Sequence, residues 1–114
     1  MTSLVVMGQG YVGLPLAMRA VEVGHSVIGY DPDPKRAKRL ASSDSYVEDV
    51  SNEEIAAALA TGRYKPTDRI EDLAGFDVAL ITVPTPLTEG IPDLSFVEAA
   101  AHTLGAHLSP GSCV

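Results

Sequence analysis

Leu4-Val5-Val6-Met7-Gly8-Gln9-Gly10-Tyr11-Val12-Gly13 carries the most informative pattern in the chain. A short apolar run, strand-like over residues 3–7, leads straight into Gly-x-Gly-x-x-Gly. An apolar helix pattern follows from Leu14 to Val23. In a strand–turn–helix setting this is a dinucleotide-binding fingerprint, and each glycine has a physical task. Gly8 allows the tight turn out of the strand. Gly10 lets the backbone approach a pyrophosphate where a Cβ would collide. Gly13 lets the helix pack closely on the sheet. The helix start then offers free N–H groups and a positive dipole end to an anion. The same spacing occurs in unrelated glycine-rich loops, so its meaning depends on what the rest of the chain supplies.

The chain around it has 114 residues, enough for one domain with a single core. Apolar residues make up 46%, which is the composition of a globular chain. No apolar run reaches the length of about 18 residues that a membrane span needs. The first residues read as a strand rather than an export signal. Fifteen acids against eight bases give a formal charge of −7, which argues against a nucleic-acid surface. It leaves a phosphate ligand possible, because backbone N–H groups can hold one without net positive charge. A single cysteine excludes an intrachain disulfide and fits a reducing cytoplasm.

Reading onward, residues 11–23 form a helix with Pro15 in its early turns and Gly24 as its stop. Ser26-Val27-Ile28-Gly29-Tyr30 is a second strand, parallel to the first through a right-handed crossover. Asp33 caps the next helix, Pro34 opens it, and it ends near Leu40. Ser51 and Glu54 form a capping box for a helix reaching Ala60. Tyr64-Lys65-Pro66 gives a poor strand signal, and Asp68 to Leu73 reads as a short helix. Residues 77–83 are a continuous, β-branched strand of the kind covered on both faces. Pro84-Thr85-Pro86-Leu87 leaves the sheet, because proline cannot donate to the ladder. A last helix, capped by Asp93 or Ser95, runs to about Leu108, and Ser112 starts another strand. This alternation specifies an α/β chain with a Rossmann-type, doubly wound parallel sheet in three α/β/α layers. It breaks off near the fifth or sixth strand, as expected of an N-terminal domain, residues 1–114, of a longer protein.

Asp31 supplies the context that the glycines require. It ends the second strand 18 positions beyond Gly13. An acid about 20 residues on, at that strand end, accepts hydrogen bonds from the adenosine ribose. It would repel a 2′-phosphate, so the expected cofactor is NAD rather than NADP. Arg36 lies where it could meet the adenine or ribose. Pro84 and Thr85 follow a strand at its C-terminal end, the edge where open α/β sheets bind ligands. The other basic residues from Lys35 to Arg39 read as a solvated helix face. His25 reads as a surface turn residue, Met7 and Met18 as core, and Cys113 as a small buried apolar residue. His102 and His107 are five apart and do not share a helix face, so no metal is expected.

At these residues the chain resembles the UDP-glucose/GDP-mannose dehydrogenase family. The resemblance rests on Gly8-Gln9-Gly10-Tyr11-Val12-Gly13-Leu14-Pro15-Leu16-Ala17, Val27-Ile28-Gly29-Tyr30-Asp31, Val83-Pro84-Thr85-Pro86-Leu87 and Pro92-Asp93-Leu94-Ser95. The Gly-Leu-Pro-Leu-Ala form is similar to the branch that oxidises UDP-N-acetylmannosamine and related sugars. The resemblance implies an NAD-dependent oxidoreductase of polysaccharide biosynthesis that converts the C6 alcohol of a UDP- or GDP-sugar to a carboxylate. It implies two NAD per turnover and a cysteine-bound thiohemiacetal and thioester. It further implies that Gly8, Gly10 and Gly13 cradle the pyrophosphate, with N–H groups from Tyr11 and Val12. Asp31 would hold the adenosine ribose, with Arg36 over the adenine side. Val83, Pro84 and Thr85 would border the nicotinamide half. The family's catalytic cysteine and sugar pocket fall beyond residue 114, and Cys113 is not that cysteine. A homodimer or larger assembly is implied for the whole enzyme. Two other readings share the glycine fingerprint: a 3-hydroxyacid or hydroxyacyl-CoA dehydrogenase domain, and a non-catalytic NAD-sensing module.

Overall fold

The computed structural model describes residues 2–114. Strand β1 (Ser3–Met7) is its centre. It pairs in parallel with β2 (Ser26–Tyr30) on one side and β4 (Val78–Ile81) on the other, and β3 (Tyr64–Thr67) flanks β2. The order β3-β2-β1-β4 reverses direction at β1, which makes the sheet doubly wound. The expected α/β class is therefore what folds.

Successive β1 side chains point to opposite faces, and this builds the layers. Val6 joins Leu14, Ala17, Val21, Leu40 and Ile55 in one core. Val5 and Met7 join Leu73, Phe76, Ala79, Ala100 and Leu104 in the other. Helices α1 (Gly13–Glu22), α2 (Pro34–Ala41) and α3 (Asn52–Ala60) contribute to the first core, and α4 (Ser95–Gly105) to the second. A strand buried on both faces must be apolar throughout, which is why Val5-Val6-Met7 shows no alternation. Met18 is buried in the first core, as expected.

Local signals set several boundaries. Asp33 accepts from Lys35 N–H at 2.9 Å with Pro34 in the first turn. The Ser51–Glu54 capping box has both of its hydrogen bonds. Pro66 is tolerated because β3 is an edge strand of the four.

The structure corrects other readings. Helix α1 begins at Gly13 rather than residue 11, although its hydrogen-bond ladder already starts at the Gly10 carbonyl. The short helix expected from Asp68 is a 3-10 helix that begins only at Ile70, after Arg69 in extended conformation. Strand β4 stops at Ile81, and α4 at Gly105. Asp93 bonds Ser95 N–H at 2.9 Å, but Leu94 occupies the cap position. Two short strands, β5 (Leu87–Thr88) and β6 (Ile91–Pro92), form an antiparallel hairpin beyond the expected exit from the sheet at 84–87. Its turn, Glu89-Gly90, has positive φ at both positions (53° and 78°), the pattern of a two-residue primed turn.

Two side chains also differ from expectation. Cys113 is exposed, not buried. It makes an isolated parallel bridge to Val78 at the sheet edge, where its backbone is paired but its side chain is left uncovered. His25 is half-buried rather than on the surface, with its N–H bonded to the Ala20 carbonyl. Among the described residues no helix is long and apolar enough to cross a membrane.

Candidate functional site

The glycine loop leaves β1 at the C-terminal edge of the sheet. Gly8 has a φ of +96°, and its N–H bonds the Tyr30 carbonyl at 2.7 Å. A Cβ at Gly8 would lie 2.8 Å from the Thr82 carbonyl oxygen and 3.3 Å from Val83 Cα. A Cβ at Gly13 would lie 1.7 Å from the Gly8 oxygen and 2.5 Å from Thr82 Oγ1. Both glycines are therefore required by backbone crowding between α1, β1 and the end of β4. Gly10 is different. A Cβ there would meet only Arg36 Nη1, at 3.8 Å. Its surroundings are open on the side where a ligand backbone could approach. The N–H groups of Gly10, Tyr11 and Val12 donate to no other described residue. The Tyr11 and Val12 side chains point to solvent, 79% and 66% exposed. An anion at this loop would meet unpaired donors, and the loop fits a pyrophosphate on that ground.

Asp31 stands beside this loop at the end of β2 and is only 4% exposed. Its Oδ2 accepts from Gln9 N–H at 3.1 Å, and its Oδ1 from Asp33 N–H at 3.0 Å. Arg36 Nη1 lies 3.4 Å from Oδ2. The Arg36 guanidinium also lies over the Tyr46 ring, 5.0 Å from its centroid, and Arg39 lies 5.4 Å from the same ring. Burial, reinforced by the Asp31 charge, pushes the Tyr46 phenol up to about 12, and the two arginines oppose that rise. The Tyr46 hydroxyl donates to the Gln9 carbonyl.

The third part of the site follows β4. Thr82 Oγ1 is 3.0 Å from both the Met7 and Gly8 carbonyl oxygens, which ties the strand end to the glycine loop. Val83 is half-buried against the second core. Pro84 and Thr85 are exposed along the same rim. The structure thus brings together Gly8, Gly10, Gly13, Asp31, Arg36 and Val83, with Pro84 and Thr85 at the margin.

Sequence reading missed four residues here: Gln9, Tyr46, Tyr64 and Thr82. Gln9 is fully buried, and Tyr64 donates to its side-chain oxygen at 2.7 Å. One signal could have found it. Gly29 sits inside a strand, which marks a close approach. A Cβ at Gly29 would lie 2.3 Å from Gln9 Oε1.

A doubly wound parallel sheet with a glycine loop, an open rim of N–H donors and an acid at the next strand end defines a dinucleotide-binding α/β domain. Residues 2–114 match the model of the UDP-glucose/GDP-mannose dehydrogenase family, NAD binding domain, and the chain belongs to that family. Its cofactor is NAD. The chain is 37% identical over 112 residues to UDP-N-acetyl-D-mannosamine dehydrogenase of Pyrococcus horikoshii, covering 97% of this chain and 27% of that protein. It is 39% identical over 115 residues to UDP-N-acetyl-D-glucosamine 6-dehydrogenase of Salmonella typhi, covering 97% of this chain and 25% of that protein. The solved structure of the Pyrococcus horikoshii enzyme superposes with a TM-score of 0.92 at 36% identity, over 96% of this chain and 27% of that one. A ternary complex of GDP-mannose dehydrogenase from Pseudomonas aeruginosa superposes at 0.83 and 28% identity, over 90% of this chain and 24% of that one. The chain spans about a quarter of the length of the relatives it matches.

Proposed function

We propose that this chain holds and orients NAD for a nucleotide-sugar 6-dehydrogenase, which oxidises the C6 alcohol of a UDP- or GDP-sugar to a carboxylate. The observation that carries the reading is the juxtaposition of Asp31 with the unpaired N–H groups of Gly10, Tyr11 and Val12. NAD, when bound, supplies the hydride acceptor. The chain's own residues do the positioning. Gly8, Gly10 and Gly13, with the Tyr11 and Val12 N–H groups, hold the pyrophosphate. Asp31 accepts from the adenosine ribose, and Arg36 covers the adenine side. Val83, Pro84 and Thr85 border the nicotinamide half. The buried Asp31 carboxylate disfavours a 2′-phosphate by like-charge repulsion.

In this reading residues 1–114 are the N-terminal NAD-binding domain of a longer, cytoplasmic enzyme that assembles as a homodimer or larger. By itself the domain binds nucleotide without oxidising a sugar. The similarity to N-acetylmannosamine and N-acetylglucosamine dehydrogenases favours a UDP-N-acetyl sugar as substrate of the whole enzyme. Isothermal titration of the chain with NAD and with NADP tests the site. NAD should bind more tightly, and Asp31→Asn should weaken it by about 1–2 kcal/mol, the scale of one charge-assisted hydrogen bond. Tighter NADP than NAD binding would overturn the role of Asp31.

A further inference from the structure

Gln9, the variable position between the first two glycines, is the most completely bonded residue of the loop. Its N–H donates to Asp31 Oδ2 at 3.1 Å. Its carbonyl accepts from the Tyr46 hydroxyl. Its side-chain Oε1 accepts from the Tyr64 hydroxyl at 2.7 Å. Its Nε2 donates to the Gly8 carbonyl at 3.2 Å and lies 3.4 Å from the Val6 carbonyl. The residue is fully buried, so each of these bonds replaces one that water cannot make. Tyr64 stands on β3, Tyr46 in the connection between α2 and α3, and Asp31 at the end of β2.

These bonds pin two successive peptide planes. The plane between Gly8 and Gln9 is held at its oxygen by Gln9 Nε2 and Thr82, and at its N–H by Asp31. The plane between Gln9 and Gly10 is held at its oxygen by Tyr46. A trans peptide is flat, with its N–H directed opposite its C=O. Fixing the Gln9 oxygen inward therefore aims the Gly10 N–H outward, and that N–H donates to no other described residue.

We propose that Tyr46 and Tyr64, acting through Gln9, are positioning residues that aim the Gly10 N–H at the pyrophosphate of the dinucleotide. The inference rests on the assignment of the glycine loop as the NAD site. Neither tyrosine touches the nucleotide. Each sets the direction of a donor before the ligand arrives, so the loop does not have to be ordered on binding.

Tyr46→Phe and Tyr64→Phe keep the rings and remove only the hydroxyls. Titration with NAD should show about fivefold weaker binding in each, the equivalent of about 1 kcal/mol for one hydrogen bond. Adenosine, which carries no pyrophosphate, should bind each variant within twofold of the unaltered chain. In the nucleotide-free protein, the backbone order parameter at Gly10 should fall from about 0.85 towards 0.6, with α4 unchanged. Tyr46 is only half-buried, so its variant keeps the test available should Tyr64→Phe unfold. NAD affinity within twofold in the folded variants, an unchanged order parameter at Gly10, or adenosine weakening in step with NAD would each overturn the proposal. Failure of the unaltered chain to bind NAD would overturn the site assignment and the aiming role with it. The order parameters would then report whether the hydroxyls fix the loop at all.

Discussion

The two flanks of the nucleotide edge are built in opposite ways. On the β2 flank, Gln9 and Asp31 are buried, and Asp33, Arg36, Tyr46 and Tyr64 close hydrogen bonds onto them. On the β4 flank, the chain from Pro84 to Pro92 stands in solvent, with Leu87 70% and Ile91 68% exposed. The first flank is specified by bonds within the chain, so its geometry exists before a ligand arrives. The second is an apolar hairpin whose side chains gain little from the rest of this chain. Stability and shape therefore reside on the β2 flank, and the β4 flank contributes surface.

Substitutions can break that contrast. The largest effect is expected from Gly13→Ala, where the new Cβ would overlap the Gly8 carbonyl at 1.7 Å. Backbone, not a movable side chain, is in the way. Denaturant unfolding should show a loss of about 3 kcal/mol or more, with NAD binding abolished in any folded fraction.

Alkaline pH should produce a smaller effect on the β2 flank. The Tyr46 phenol is raised from 10.0 to about 12 in the folded chain. The folded state thus holds the proton more tightly than the unfolded state, and stability falls with rising pH. The contribution is complete below pH 10 and lost as pH rises through about 12. It is worth about 1 kcal/mol once solvent screening of this half-buried ring is allowed for. Burial raises the Tyr64 phenol in the same direction. Chemical unfolding across this window should show a shallower decline in Tyr46→Phe than in the unaltered chain.

The smallest effect is expected on the other flank. Ile91→Ser should change stability by no more than about 0.5 kcal/mol, because the side chain is already in water. Thermal unfolding of this variant within about 3 °C of the unaltered chain would sharpen the contrast, and a larger fall would show that the hairpin supports the fold.

What could be read from the sequence follows the range of the forces involved. Strand β1, the glycine loop, the Asp33–Pro34 start of α2 and the Ser51–Glu54 box depend on neighbours a few residues away. All four formed as expected. Asp31 was legible because a fixed motif sets its distance from the glycines. Gln9 was not, because its partners Tyr46 and Tyr64 are 37 and 55 residues away, and only the folded sheet brings them together. The hairpin was hidden by Glu89, a residue that rarely takes positive φ, in a turn usually marked by Asn or Asp before glycine. Cys113 was misread because an apolar residue is buried only if something packs over it, and its own strand pairing does not tell that.

Gly29 carries a consequence for the history of such sequences. Its missing side chain is occupied by Gln9 Oε1, and the Tyr64 ring closes the same gap from 2.9 Å. The three positions cannot drift independently. A side chain at Gly29 requires Gln9 to shift or be shortened and the Tyr64 ring to give way, and while it is there the long amide cannot keep its present place. The order of substitutions matters, and the way back runs through the same steps in reverse.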